Sequence, residues 1–170
     1  MEKALSAAPD TQPRVAGKSM HKLEWERWGV LYARIALGAA FLSAVASRFG
    51  LWDKTVDLKH FASFIHFTAQ VLSFIPAAFI PLLAWAATAA ETTLGILLIS
   101  GLWPRSVSLA AAILLAMFGT SMAISFGLES PMDYSVFSAS GAAVLLSLHA
   151  SSQYGKKIVT ARKGGCDREV

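Results

Sequence analysis

The chain has 170 residues, 55% of them hydrophobic and 15% charged, with a mean hydropathy of +0.51 and a net charge of +4. That balance is too apolar for an ordinary soluble domain of this length, so the chain reads as one small integral membrane domain with the lipid bilayer as its first partner. The basic excess lies mostly in the two tails and not on a folded face, which argues against a nucleic-acid partner and points to membrane topology instead.

Residues 1–24 mix Ala, Pro, Ser, Lys and Gln without periodicity and are expected to form a disordered cytoplasmic tail. No apolar core of a cleavable signal peptide stands in them, so the first span is expected to act as an uncleaved anchor. Trp25 and Trp28 suit the aromatic belt where that span enters the membrane. The span covers about 28–48 and is apolar apart from Arg34, with Arg48 and Trp52 at its far end. From about 56 to 75 the polar residues Lys59, Ser63, His66, Gln70 and Ser73 recur every three or four positions among Phe61, Phe64, Ile65, Val71, Leu72 and Ile75. This is the period of an amphipathic helix, placed here on the outer interface. Pro76 and Pro81 then turn the chain into a second span over about 79–101.

A third span covers about 104–127, within the uncharged run Ser106 to Leu128, and a fourth about 134–151, within the uncharged run Tyr134 to Gly155. About 20 apolar helical residues cross a bilayer core of roughly 30 Å. Residues 156–170 form a basic cytoplasmic tail. Lys3, Arg14, Lys18, Lys22 and Arg27 before the first span, Arg105 between the second and third, and five residues after the fourth make eleven of the fifteen Lys and Arg. By the positive-inside rule both termini are cytoplasmic, and a fifth crossing by the amphipathic helix would separate the two basic tails. The expected fold class is an all-α membrane protein. Its domain, residues 25–155, is a four-transmembrane-helix bundle with an amphipathic interfacial helix between spans 1 and 2.

Small residues recur every four positions as Ala39, Ser43, Ser47; Ala87, Glu91, Gly95; and Gly119, Ala123, Gly127, the pattern of faces on which membrane helices approach closely. The second series turns Glu91 into the bundle. A carboxyl group there is a functional candidate by default, as a proton-handling or ligand-binding group, with a buried structural role standing beside it. Arg34 is the other charge inside a span, at comparable depth. An Arg34–Glu91 ion pair is one reading; the other has Arg34 reaching the cytoplasmic surface and Glu91 protonated or bonded to Thr88 or Thr92. Arg48, Trp52, Asp53, Asp133 and Tyr134 collect at the outer ends of spans one and four as a second candidate site, each also serving as an ordinary interfacial anchor.

Other chemistries are disfavoured. One cysteine, Cys166, cannot run a disulfide relay. His60 and His66 differ by about 240° around their helix and His149 lies at the opposite membrane side, so no pair meets haem geometry. No metal site and no nucleotide-binding glycine loop is recognisable.

The stretches RIALGAAFLSAVASRFGLWD, ATAAETTLGILLISGLWPRSVSLAAAILL and SPMDYSVFSASGAAVLL together resemble the DoxX-like membrane proteins, through Glu91, Gly95, Gly101 and Arg105 with Arg34 and Arg48. The resemblance implies a four-helix bundle in a bacterial inner membrane. It further implies an accessory subunit of a quinone-linked redox or oxidative-stress complex, with quinone or quinol as ligand and a redox-enzyme partner or a second copy beside it. On that reading the chain is not catalytic alone. A small proton-coupled transporter or channel relaying through Glu91, and a purely structural membrane anchor, are the alternatives from other classes.

Overall fold

The computed structural model describes residues 14–52 and 57–166, and among these all regular structure is helical, with no strand. The helices are α1 (Arg14–Arg48), α2 (Leu58–Val71), α3 (Ile80–Ser100), α4 (Pro104–Phe126), α5 (Glu129–Asp133) and α6 (Val136–Cys166), with a 3-10 turn at Ala77–Phe79. The chain divides into a unit up to Tyr32 and a unit from Ala33 onward. In the first, Trp25, Trp28 and Tyr32 are exposed, and all the packing described below belongs to the second.

Among the described residues three segments are long and apolar enough to cross a membrane: Glu24–Arg48, Ala77–Ser100 and Pro104–Phe126. The expected fourth span, 134–151, is not among them. In α6 the apolar residues from Val136 to Ala150 are diluted by Ser138, Ser140, Ser147 and His149 before Ser151, Ser152 and Gln153 follow. Helix also reaches further than expected at both ends. It begins at Arg14, inside the segment expected to be disordered, and continues to Cys166, inside the expected basic tail. No proline interrupts either stretch, and Lys, Leu, Met, Glu and Arg extend an existing helix at little cost once the span has nucleated it.

α1 and α3 run antiparallel, since Arg34 meets Leu98 while Arg48 meets Thr88 and Glu91. Their backbones touch where Gly38 faces Gly95: a Cβ added at Gly38 would stand 2.6 Å from Ile99 Cγ1 and 2.9 Å from the Gly95 carbonyl oxygen. Only glycine permits that approach. The face α1 turns inward is therefore Leu37, Gly38 and Phe41, whereas Ala39, Ser43 and Ser47, expected to face the bundle, are exposed. One glycine at the crossing is enough for contact, and the larger Leu37 and Phe41 are needed to fill the space as the helices diverge.

α3 ends at Gly101, whose left-handed φ of 77° ends the helix while its N–H still reaches the Leu97 carbonyl. A short turn through Trp103 leads to Pro104 in the first turn of α4, so α4 returns antiparallel to α3. α6 packs along α4, with Ser140 Oγ donating to the Ala112 carbonyl at 2.9 Å and the Phe137 ring lying where a Cβ on Gly119 would stand.

α2 has the amphipathic character its period predicts. Asp57 caps it by accepting from the Lys59 N–H. Lys59, Ser63, His66, Gln70 and Ser73 are all exposed, while Phe61, Thr68 and Val71 are buried against the span ends. Ser125 Oγ, near the end of α4, donates to the Val71 carbonyl at 2.7 Å. This bond ties α2 to the end of the bundle at which α1 finishes and α3 begins.

Candidate functional site

Glu91 is 2% exposed, on the buried α3 stripe Ala84, Thr88, Glu91, Gly95 and Leu98. Its partner is Arg48. The arginine Nη2 donates to Oε1 at 2.7 Å and stands 2.7 Å from Oε2 as well, so one nitrogen straddles the carboxylate and Oε2 receives charge without a hydrogen bond of its own. Nη1 donates to Thr88 Oγ1 at 2.9 Å. Thr88 in turn donates to the Ala84 carbonyl at 2.8 Å, which orients its oxygen to accept. Arg48 thus bridges the two polar side chains one turn apart on α3.

The remaining side of the guanidinium is closed by an aromatic ring: Arg48 Cζ lies 3.8 Å from the centroid of Phe64 on α2. Phe64 belongs to a cluster in which Phe61 stacks on Phe49 at 5.6 Å and meets Trp85 at 4.3 Å. Pairing and ring contact together leave the Arg48 side chain 10% exposed. A charged side chain at the centre of a span costs about 2.5–3.5 kcal/mol on insertion scales. Two opposite charges brought into contact under a ring offset much of that for each other.

Arg34, the partner considered for Glu91, is elsewhere. Its Nε and Nη2 both donate to the Leu98 carbonyl, at 3.0 and 2.8 Å, and its guanidinium fills the space beside Gly101 where a Cβ would stand. Arg34 thereby satisfies a carbonyl of the last turn of α3 and places positive charge at that helix's negative end. The helix geometry explains the choice. Measured along the axes from the Gly38–Gly95 crossing at about 1.5 Å per residue, Glu91 lies roughly 6 Å toward the α2 end and Arg34 roughly 6 Å toward the other. Side chains also lean toward the N-terminus of their own helix. Arg48 therefore leans toward the level of Glu91, and Arg34 leans away from it.

The outer cluster comes together only in part. Trp52 is exposed and its indole Nε1 donates to the Ser43 carbonyl at 3.3 Å, folding back along α1. Asp133 ends α5 and Tyr134 caps it, both exposed, and they take no part in the contacts of Arg48. Asp53 lies outside the described residues. Sequence reasoning missed the aromatic closure. Its signal was present in Phe61 and Phe64, three apart on the apolar face of α2, and in Thr88, three residues before Glu91 on one face of α3.

No curated protein and no solved structure matches the chain. The resemblance to DoxX-like proteins is overturned, because the family whose model matches is a different membrane family. Glycines, a buried acid and flanking arginines are common solutions to packing helices in lipid and do not separate one such family from another. The quinone or quinol role rested on that resemblance alone and loses its support with it. The matching model is described as methylamine utilisation protein MauE and spans residues 26–135, well over half of the chain, so this membrane protein belongs to the MauE family.

Proposed function

We propose that the chain is an integral membrane accessory protein of methylamine utilisation, working beside a redox enzyme that carries the electron-transferring group. The observation that supports this most is the extent of the family match, residues 26–135, which takes in α2 to α5, most of the apolar part of α1, and the Arg48, Phe64, Thr88 and Glu91 constellation. Oxidative opening of the methylamine C–N bond releases two electrons, so a membrane protein that serves this use has a redox enzyme as its natural neighbour.

In this reading α6 makes the fourth crossing and brings the chain back to the cytoplasmic side, where the basic residues of both termini lie. α2 then rests on the outer surface of a bacterial inner membrane. Glu91 serves to lock α1 against α3. Its carboxylate held 2.7 Å from Arg48 supports a fixed structural charge over the proton relay of a transporter.

The test is genetic and biochemical together. Deleting the gene in its native bacterium should abolish growth on methylamine as sole nitrogen source and leave growth on ammonium intact, and a tagged copy restoring growth should co-purify an oxidoreductase. Unchanged growth on methylamine would sink the proposal.

A further inference from the structure

We propose that the turn between α3 and α4 is a binding site for one anionic phospholipid. A groove of about 480 Å³ runs between the last two turns of α3 and the first two of α4, lined by Leu94, Leu97, Trp103, Ser106, Val107 and Ala110. Its volume falls within the roughly 300–1,000 Å³ of small-molecule sites. Its walls are apolar along its length, and its polar groups sit at the end where the two helices join.

At that end Trp103 holds a left-handed φ of 40°, a conformation disfavoured for a bulky residue and more so before a proline. The indole is 73% exposed and lines the groove. Ser106 is exposed at the same level, and its hydroxyl makes no hydrogen bond within the described chain. Arg105, next in sequence to both Pro104 and Ser106, is exposed. Arg34 stands against Gly101 on the other side of the turn, with Nε and Nη2 spent on Leu98 and Nη1 left for a further acceptor.

The charge pattern decides the occupant. Neither Asp nor Glu occurs between Thr92 and Leu128, and Glu91, further back on α3, is held by Arg48, so no acid on the hairpin is left to neutralise Arg105. An apolar trough with an indole and a hydroxyl at its mouth, and the exposed Arg105 next to them in sequence, matches a molecule with a hydrocarbon chain at one end and a phosphate at the other. A neighbouring span would fill the trough and leave Arg105 without an anion. A free phosphate would leave the trough empty.

Native mass spectrometry of the full chain in mild detergent, titrated with phosphatidylglycerol and separately with phosphatidylcholine, tests the assignment. The expected result is one phosphatidylglycerol per chain bound in preference to phosphatidylcholine. Arg105→Ala should weaken phosphatidylglycerol about fivefold, the contribution of one basic residue near a membrane surface, and leave phosphatidylcholine unchanged. Ala110→Phe, which fills the trough from an exposed position, should lower binding of both lipids, with helix content by circular dichroism unchanged in each variant. Equal affinity for the two lipids overturns the proposal. So does binding indifferent to Ala110→Phe, or a dimer that Ala110→Phe dissociates.

Discussion

Replacing Arg48 and Glu91 by leucine, singly and together, separates a true charge pair from two polar groups that merely share a space. The two side chains are 10% and 3% exposed and in contact at 2.7 Å. Removing either one leaves the other charge buried without its partner, which costs about 3–5 kcal/mol. Arg48→Leu also forfeits the contact with Phe64, about 1 kcal/mol at a partly exposed site. Replacing both removes two desolvation penalties along with the attraction, so the double variant should lie within about 1–2 kcal/mol of the parent. The cycle then closes on a coupling of roughly 4 kcal/mol or more. For a chain of this length each kcal/mol moves the melting temperature by about 2–4 °C, so each single variant should melt roughly 6–20 °C lower and the double close to the parent. Thermal unfolding of the full chain in detergent, followed by circular dichroism, measures all four. The reasoning fails if the two single effects add to within about 0.5 kcal/mol, or if Arg34 and not Arg48 shows the coupling to Glu91.

Three further predictions follow from the same frame. Gly38→Ala should destabilise by about 1–3 kcal/mol, because its Cβ would stand 2.6 Å from Ile99 and 2.9 Å from the Gly95 backbone and α1 must move off α3; a cysteine pair placed across the two helices should then cross-link more slowly. Gly101→Ala should cost about 1 kcal/mol for the left-handed backbone and more for displacing Arg34 from the Leu98 carbonyl, read as a lower melting temperature that Arg34→Met partly relieves. Phe64→Ala should remove about 1 kcal/mol of ring contact and uncover Arg48, so that a cysteine at Thr88 reacts faster with a membrane-impermeant maleimide; unchanged labelling would show that α2 does not close the site.

What the sequence made legible follows from which forces leave a periodic trace. The α2 stripe of Lys59, Ser63, His66, Gln70 and Ser73 is exposed as its period required, because water on one side and packed helices on the other impose an alternation that can be read along the chain. Inward placement of Glu91 was legible for a similar reason: few alternatives exist for a carboxylate in a span. The identity of its partner was not. Depth along a helix can be counted, but which arginine leans toward the acid depends on where the helices cross and on their relative direction. Small residues misled on α1, since Ala39, Ser43 and Ser47 fit a contact pattern as well as Gly38 does, and only the measured closeness of Gly38 to Gly95 separates them. Family membership was the least legible, because Glu, Gly and Arg at these spacings answer to lipid and packing before they answer to function.

The crossing also gives the two arginines a joint meaning. Arg34, Gly38, Phe41, Val45 and Arg48 stand at intervals of four, three, four and three on α1, and Ala84, Thr88, Glu91, Gly95 and Leu98 repeat those intervals on α3. In lipid the hydrophobic effect does not draw such stripes together, so close packing and polar contacts must fix their register. Glycine against glycine supplies the closeness without choosing among neighbouring registers. The arginines make the choice. Sliding α1 by one turn, about 5.4 Å, would carry Arg48 away from Thr88 and Glu91 and Arg34 away from Leu98 in the same motion, and would bring a side chain against Gly95 in place of Gly38. Polar groups buried at a helix interface are best attested in this role, as setters of register. That makes Glu91 the point at which register is specified from α3, and it explains why an acid that would be costly alone is held between two spans under the cover of α2.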